Sequence, residues 1–369
     1  MSGETNLSGE IIEENKNKAS KDSENKEFDD SFYPWIKPNG KCHSLHGMLK
    51  LHYEILDFYD FIKLTNSEIR ARNKTYKEIK TIIEDNFPNY KCSLYGSFIT
   101  ELSLPDSDID ILITKKEEKN NNPLKPDKNE QNEETILLND LENVYSVLGN
   151  KNIFKDFKII HAKVPIVTGI YNPTDVHVDI SFCKKKGIND TEIIKNILNI
   201  YPEIKPLMLL IKYLIRQRNL NQIYTGGISS FIIFSLIYYY IADLRKQIEY
   251  KINNGEKEQL LTLGHLLVGF FNFYAFEFNY EKFGISISKG CYLYERNDGS
   301  KKNLSIKNFE DESYDMGANC YHYSKILDIF KLAAERLNYS EKNVVSYLKE
   351  FIFPDDTLKK RANMFNNDS

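Results

Sequence analysis

The sequence GSFITELSLPDSDIDILI, residues 96–113, combines a glycine turn with an alternation of acidic and apolar residues. Side chains alternate between the two faces of a strand, so Asp108 and Asp110 share one face and the isoleucines share the other. Two carboxylates about 4 Å apart repel each other by roughly 4 kcal/mol at an effective dielectric constant near 20. A divalent cation between them removes that repulsion, and oxygen ligands favour Mg²⁺ or Mn²⁺. The pattern therefore predicts a strand that carries a metal site.

Gly96 and Ser97 precede these acids by about ten residues. A glycine lets the backbone approach a phosphate closely, and a serine hydroxyl and the N–H groups of a helix N-terminus bind the anion. We therefore expect the two residues to end a strand that begins near Cys92 and to open a short helix. A phosphate site beside paired carboxylates suits a metal–triphosphate.

A third acidic residue lies in VHVDISF, residues 176–182. Apolar and polar residues alternate here, which predicts Asp179 on the polar face of a strand beside the first. Two metal ions about 3.5–4 Å apart, held by Asp108, Asp110 and Asp179, activate an attacking hydroxyl and stabilise a leaving pyrophosphate. The three acids therefore predict nucleotidyl transfer by a two-metal mechanism.

Other interpretations of these residues explain less of the pattern. The acidic spacing mimics an EF-hand, but the position that needs glycine for the sharp turn is Ile111. A solvated acidic turn does not explain the apolar alternation. Cys42, His43 and His46 supply half a zinc site at most, and His177 is interpreted as a strand-face histidine rather than a catalytic base.

Composition limits the class of protein. The 369 residues carry 49 Lys and Arg against 53 Asp and Glu, a net charge of −4, so any nucleic-acid surface is a local patch. Five widely spaced cysteines without a CxxC pair favour reduced thiols in an intracellular protein. Residues 1–31 predict a disordered acidic tail without an apolar signal segment. The apolar run 228–242 is shorter than the ~18–20 residues that cross a bilayer, so no membrane association is expected.

The periodicity predicts an α+β protein with a small α/β unit in the middle of the chain. Apolar residues at helical spacing predict two helices between Leu45 and Ile83. The low-complexity segment 115–135 is predicted to be a flexible insert. From Thr191 to Phe353 the pattern is mostly helical.

The glycine turn and the three acids resemble those of the DNA polymerase β-like nucleotidyltransferases. The downstream half more narrowly resembles the noncanonical poly(A) polymerases that tag nuclear RNA for surveillance and exosome decay. The likeness covers about residues 33–353. The segments that carry it are 201–212, 218–221, 224–231, 263–287 and, for the nucleotide recognition motif, 304–317.

The resemblance implies a two-domain enzyme. A polymerase β-like catalytic domain of residues 60–185, with a mixed sheet and helices, packs against a mostly helical central domain of residues 32–59 and 186–355. Residues 356–369 form a flexible C-terminal tail. ATP and the RNA 3′ end bind in the cleft between the domains. The implied activity is that of a polynucleotide adenylyltransferase, which adds AMP from ATP to RNA 3′ ends without a template.

The resemblance also assigns roles to residues. Asp108, Asp110 and Asp179 hold two Mg²⁺ or Mn²⁺ ions, and Asp179 helps to activate the 3′-hydroxyl. Phosphate contacts fall to Gly96, Ser97, Lys212 and Ser230, with Arg216 in support. Gly187 approaches the nucleotide by its backbone and Phe231 stacks on the base, where the family usually has Tyr. The full nucleotide-binding set is Gly96, Ser97, Gly187, Lys212, Arg216, Ser230, Phe231, Tyr314 and Asp315.

The nucleotide recognition motif departs from the family pattern. The family has an Asn-Asp pair followed closely by Arg, whereas this chain has Tyr314, Asp315 and Ala318, and residues 307–309 read KNF in place of Glu-Asp-Pro. The first position of the pair helps related enzymes to distinguish adenine from uracil, so terminal uridylyl transfer from UTP stays an alternative. A small-molecule nucleotidyltransferase is disfavoured by the long helical half. A non-catalytic scaffold subunit of an RNA-decay complex is disfavoured by the three acids.

Few sequence features predict RNA binding. Residues 184–186, Arg216 and Arg218 are basic, but short basic runs are usually solvated. Weak binding by the chain alone is therefore expected. The resemblance implies a zinc-knuckle RNA-binding protein and an RNA helicase as partners in a polyadenylation complex. It also implies a location in the nucleus or nucleolus.

Overall fold

The computed structural model describes residues 33–37, 40–116, 130–162, 164–182, 186–257, 261–288, 290–296, 304–309, 312–339 and 344–367. The first long helices are α1 (Gly47–Ile62) and α2 (Asn66–Asn86), which confirms the two helices predicted there. Thr65 starts α2 with a capping box, in which Glu68 N donates to its hydroxyl at 3.3 Å. The predicted domain boundary at residue 59 falls inside α1, about one turn before that helix ends at Ile62.

A five-stranded mixed sheet follows. Its strands, with one intervening helix, are β1 (Tyr90–Tyr95), β2 (Ile109–Lys115), α3 (Glu130–Gly149), β3 (Phe154–Ile160), β4 (Ile166–Tyr171) and β5 (Val176–Phe182). The strand order is β1-β2-β5-β4-β3, with β2 and β5 parallel and the other pairs antiparallel. The sequence predicts β1, β2 and β5 but not β3 or β4. The bulge between Lys155 and Lys158 disturbs the alternation of β3. β4 alternates in burial but not in sequence, because its partly exposed positions include the apolar residues Ile166 and Ile170.

Helices cover one face of this sheet. Ile79 and Ile83 of α2 and Leu141 and Val144 of α3 are buried in one cluster with the inward residues of the strands. Each isoleucine or leucine buried there stabilises the fold by roughly 1.5–3 kcal/mol. The acidic residues of β2 and β5 alternate with these core positions and lie on the other face.

The second half of the compact unit is mostly helical. It contains α4 (Lys186–Ile200), α5 (Ile204–Arg216), α6 (Ser230–Asn253), α7 (Leu263–Asn272) and, after a small sheet, α8 (Tyr323–Tyr339). The small sheet has the order β7-β6-β8 and is formed by β6 (Phe283–Ser286), β7 (Tyr292–Glu295) and β8 (Ile306–Lys307). The prediction of a mostly helical second half is confirmed, but it did not locate the short strands β6, β7 and β8. Strands of two to four residues are too short to give a period-two signal.

Two segments predicted to be flexible contain helix. Within the predicted insert 115–135, α3 begins at Glu130. Its C-terminal half buries Leu141, Val144 and Leu148 at helical spacing, and the helix continues from them towards its N-terminus into polar sequence. Residues 117–129 lie outside the described residues. The predicted C-terminal tail contains α9 (Asp356–Asn367), in which Leu358 N donates to Asp355 Oδ1 at 2.9 Å as at a helix N-cap.

Residues 35–353 form one compact unit, and the described residues 33–34 and 354–367 belong to a second. The α+β class is confirmed, whereas the division of the compact unit into a catalytic and a helical domain stays a prediction. In the described ranges, none of the helices is both long and apolar enough to pass through a lipid bilayer.

Candidate active site

The structure brings the three acids together on the open face of the five-stranded sheet. Asp110 and Asp179 lie directly opposite each other on the parallel strands β2 and β5. Asp108 lies two residues upstream, with its Oδ1 3.8 Å from Nδ1 of His177. The parallel pairing therefore sets two carboxylates side by side, although the hydrogen bonds between parallel strands do not require acidic side chains at these positions.

Burial raises the pKa of all three carboxyls, and repulsion between the acids adds to the shift at Asp108 and Asp110. Burial, followed by the charges of Asp179 and Asp108, raises the pKa of Asp110 to about 7. Burial and the charge of Asp179 raise the pKa of Asp108 to about 6, against His177 and Lys212. Burial also raises the pKa of Asp179, although a hydrogen bond from the Thr168 side chain opposes it. Perturbed carboxyls that share a surface mark a candidate functional site.

The donor set fits a divalent cation in its chemistry. Three carboxylates offer only oxygen ligands, which Mg²⁺ and Mn²⁺ prefer, and a cation between Asp110 and Asp179 would relieve their repulsion. Among the described residues, no three His, Cys, Asp or Glu side chains already enclose a space for a metal ion. The acids therefore fit a metal by register and charge rather than as a closed cluster. Among the same residues, Cys42 belongs to no such group either, and its buried thiol donates to Lys50 O at 3.6 Å.

The glycine turn lies against this site. Gly96 has φ +72°, and a Cβ atom there would lie 2.5 Å from Oδ2 of Asp110. Its N–H donates to Oγ1 of Thr191 on α4 at 2.9 Å, and Ser97 Oγ is 3.0 Å from Ser103 Oγ. The predicted short helix after the turn is wrong, because residues 96–101 form successive turns that end where Glu101 adopts φ +61°. The turn therefore touches the acids without a helix N-terminus behind it.

The loop that leads to Asp108 is fixed from two sides. Arg72 of α2 is buried and donates to the carbonyl oxygens of Pro105 at 2.6 Å and Ser107 at 3.3 Å. Lys212 of α5 donates to Leu102 O at 3.1 Å. These cations hold the backbone of the loop, so its position depends on residues distant in sequence.

Lys212 lies close enough to the acids for their charges to act on it. Burial lowers the pKa of Lys212 to about 8, while Asp110, Asp106 and Asp108 oppose that shift. Arg216, one turn later on α5, pairs with Asp106 at 2.6 Å. The predicted phosphate contacts of these two cations remain predictions, and Arg216 is already held by an acid of the loop.

The N-terminus of α6 carries two further predicted residues. Ser229 is the N-cap, since its hydroxyl accepts from Ile232 N at 3.1 Å, and Ser230 is the first helical residue. Phe231 is partly buried, and its ring meets that of Phe309 edge-on, with the ring centroids 5.4 Å apart. Ser230 therefore lies at a helix N-terminus suited to an anion, and Phe231 contacts the segment that departs from the family pattern.

The nucleotide recognition motif contains one structural residue and one exposed residue. Asp315 Oδ1 accepts from Ile306 N at 2.9 Å and Gly317 N at 2.8 Å, while Oδ2 accepts from the Ser305 hydroxyl at 2.5 Å. Tyr314 is 41% exposed. Asp315 thus fixes the backbone around β8, and Tyr314 is the residue of the pair that faces outward. The surroundings of Gly187, in the first turn of α4, lie outside the description, as do Lys184 and Lys185.

Sequence reasoning missed three residues that position the site. They are Thr191, which accepts from Gly96 N, Thr168, which hydrogen-bonds to Asp179, and Arg72. Only Arg72 gave a local signal, because it lies on the side of α2 that packs inward at helical spacing with Thr75, Ile79 and Ile83.

Comparisons with known families agree with this site. Residues 51–199 match the family described as "Poly(A) RNA polymerase, mitochondrial-like, central palm domain", which spans the sheet and the acids. Residues 262–314 match the family described as "Cid1 family poly A polymerase", which ends at Tyr314.

Individual proteins give the same assignment. The chain is 29% identical over 83% of its length to Poly(A) RNA polymerase protein 1 of Saccharomyces cerevisiae and 30% identical over 83% to Poly(A) RNA polymerase gld-4 of Caenorhabditis elegans. It covers 46% and 35% of those proteins, so it spans less than half the length of these curated relatives. Among solved structures, the polymerase core of TRAMP, an RNA surveillance complex, matches with a TM-score of 0.70 and 25% identity over 87% of this chain and 100% of that one. With the acidic strands and the recognition segment in these places, the chain belongs to the noncanonical poly(A) polymerases of the nucleotidyltransferase family.

Proposed function

We propose that this protein adds AMP from ATP to the 3′ ends of RNA without a template. The observation that carries the proposal is the register of β2 and β5, which sets Asp110 opposite Asp179 with Asp108 beside them and Gly96 against Asp110. Nucleotidyl transfer needs negative charge held close to a triphosphate and a reacting hydroxyl, and this arrangement provides the means to hold the cations that permit it.

The residues of the chain divide the work between binding and orientation. Gly96, which lacks a Cβ, lets the Asp110 carboxylate lie against the turn, so a triphosphate bound by the turn would meet the acid. Lys212 brings a positive charge to the same space, so it would bind the leaving phosphates, and Ser230 would donate to them from the start of α6. Thr168 fixes the carboxylate of Asp179, which orients the acid nearest to the incoming 3′-hydroxyl.

Asp108, Asp110 and Asp179 would hold the divalent ions. When bound, such ions neutralise the phosphates and lower the pKa of the attacking hydroxyl. The raised pKa values of Asp108 and Asp110 imply that the acids shed protons on loading. Loading should therefore be weaker at low pH, where the acids stay protonated.

Uridylyl transfer from UTP is the second candidate. It is favoured by Tyr314, which is 41% exposed where the family pattern has Asn, and by Phe309, which meets Phe231 edge-on in place of the usual proline. Both residues belong to the segment that would surround the base. Their chemistry differs from the family pattern, while that of the acids does not.

We also propose that the protein acts on nuclear RNA destined for exosome processing or decay. The likeness to the polymerase core of TRAMP supports this role. A zinc-knuckle RNA-binding protein and a helicase would then supply the RNA affinity that the chain's net charge of −4 does not favour.

A tailing assay tests the proposal. Purified protein is incubated with labelled oligoadenylate and each nucleoside triphosphate separately, with Mg²⁺ or Mn²⁺, and the product length is measured on a gel. We expect extension with ATP and its loss in Asp110→Asn. Asp85→Asn, which makes the same charge change on the exposed surface of α2, should extend normally. Preference for UTP would replace the first candidate by the second, and activity in Asp110→Asn would remove both.

A further inference from the structure

The row of residues that contains the acids continues to the edge of the sheet. Asp110 lies opposite Asp179, Asp179 lies opposite Thr168 on β4, and Thr168 lies opposite Lys158 on β3. Directly opposed residues in a sheet place their side chains on the same face. Asp110 and Lys158 therefore lie on one face, three strands apart, and Tyr95 on β1 continues the row beyond Asp110.

A second row runs beside the first. Lys155 on β3 lies opposite Ile170 on β4, and Ile170 lies opposite His177 on β5. His177 in turn lies 3.8 Å from Asp108. Each row thus leads from an acid of the candidate active site to a lysine on the edge strand.

This face of β3 and β4 is open. Along β4, Val167, Gly169 and Tyr171 are buried under the helices, whereas the residues between them are partly exposed. Lys155 and Lys158 are both exposed, and β3 forms the edge of the sheet. The described helix α3 packs on β3 and β4 from the opposite face, with Val167 and Tyr171.

The charge on this face suits phosphate. Lys158 makes no salt bridge within the part of the chain that the structure describes. Lys155 lies 3.3 Å from Asp175, but both side chains are well exposed, at 60% and 78%. Such a pair contributes little and can exchange its partner. Ile160, 39% exposed at the end of the same strand, adds an apolar contact for a sugar or base.

We propose that Lys155 and Lys158, the β3 lysine pair, bind phosphates of the RNA strand upstream of its 3′ end. The inference rests on the proposed function, because it takes the acids as the place where the 3′-hydroxyl reacts. Neighbouring strands lie about 4.8 Å apart, so the three steps from Asp110 to Lys158 span about 14 Å. At about 3.4 Å per stacked nucleotide, this distance corresponds to roughly four nucleotides. Shorter RNA would reach the acids without reaching the lysine pair.

The test compares a long and a short RNA. Binding of labelled oligoadenylates of about ten and about three nucleotides is measured by fluorescence anisotropy over a series of salt concentrations, and tailing of both is measured in parallel. The variants are Lys158→Gln, the double variant Lys155→Gln/Lys158→Gln and Lys158→Arg, which keeps the charge. Lys77→Gln is the matched control, since Lys77 is an exposed lysine on α2, which covers the opposite face.

We expect the double variant to bind the long RNA roughly fivefold to tenfold more weakly and the short RNA normally. The slope of log K against log salt should fall by about 0.7 for each lysine removed. Lys158→Arg and Lys77→Gln should match the wild type. Equal affinity of all variants for the long RNA, or an equal loss of affinity for both RNA lengths, would overturn the inference. Tailing by the wild type in the same experiment would leave the proposed function standing. If the wild type tails no RNA but the double variant loses affinity for the long RNA alone, the result would support the lysine pair and contradict the proposed function.

Discussion

Gly96 and Asp110 are in direct contact across β1 and β2. A Cβ atom on Gly96 would lie 2.5 Å from Oδ2 of Asp110, closer than any real Cβ contact, and the backbone of Gly96 has φ +72°. The turn and the carboxylate thus occupy one space. Anything that enlarges the turn moves the acid.

Gly96→Ala should abolish most activity. The methyl group must displace the Asp110 carboxylate, and a misplacement of about 1 Å at a reacting centre costs on the order of 100-fold in rate. The positive φ also strains any L residue by roughly 1–2 kcal/mol. Tailing rates and thermal unfolding of the same preparation measure the two effects.

Gly255→Ala separates strain from contact. Gly255 has φ +86°, but a Cβ atom there would meet nothing within 4 Å. This control should lose a similar amount of stability and keep its rate. If both variants lose activity alike, strain alone explains the loss at Gly96.

Asp110→Asn should lose tailing and keep or gain stability when divalent ions are absent. The side chain keeps its shape but no longer repels Asp108 and Asp179, whose charges help to raise its pKa to about 7. Relief of this repulsion and of the buried charge contributes roughly 1–3 kcal/mol at neutral pH. Denaturant unfolding in the presence of a chelator measures the gain. A less stable variant would show that the Asp110 carboxylate stabilises the fold instead of binding a ligand.

The acidic strands could be predicted because their signal is local. In β2 and β5 the residues that face the core and those that face the site alternate one by one, so the sequence contains both faces of each strand. Asp108, Asp110 and Asp179 follow from that alternation. Their pairing across parallel strands needed only the assumption that the two strands are neighbours.

The remaining parts depend on contacts that no short window contains. Thr191 and Thr168 act on Gly96 and Asp179 from distant elements, and a lone threonine gives no sign of such a partner. The bulge in β3 shifts its alternation, which hid both the strand and the place of Lys158 on the acidic face. The nucleotide-binding role of Asp315 comes from the resemblance alone, while its hydrogen bonds from Ile306 N, Gly317 N and the Ser305 hydroxyl had no signal in the sequence.

Asp315→Ala should destabilise the protein by roughly 2–4 kcal/mol. The carboxylate accepts hydrogen bonds from Ser305, Ile306 and Gly317, and its removal leaves partly buried donors unsatisfied. Thermal or denaturant unfolding measures the loss. Normal stability with a raised KM for ATP would instead show that Asp315 serves the nucleotide.

Tyr314→Asn supplies the contrast. Tyr314 is 41% exposed, so this change should alter stability by less than about 0.5 kcal/mol. It should increase the ratio of the kcat/KM for ATP to that for UTP, because Asn occupies this position in the family pattern. An unchanged ratio would remove Tyr314 from base selection.

Lys212 should give activity and stability opposite pH dependences. Its pKa is lowered by burial from 10.5 to about 8, so in the free enzyme it loses its charge as the pH rises through 8, and kcat/KM for ATP should fall there. Between pH 8 and 10.5 the unfolded chain binds a proton that the folded chain does not, so the contribution of Lys212 to stability rises with pH over this range. Lys212→Met should remove both dependences and lower kcat/KM at neutral pH, whereas Lys205→Met, on the same helix and paired with Glu101, should retain them. A fall in kcat/KM near pH 8 that survives in Lys212→Met would assign the titration to another group.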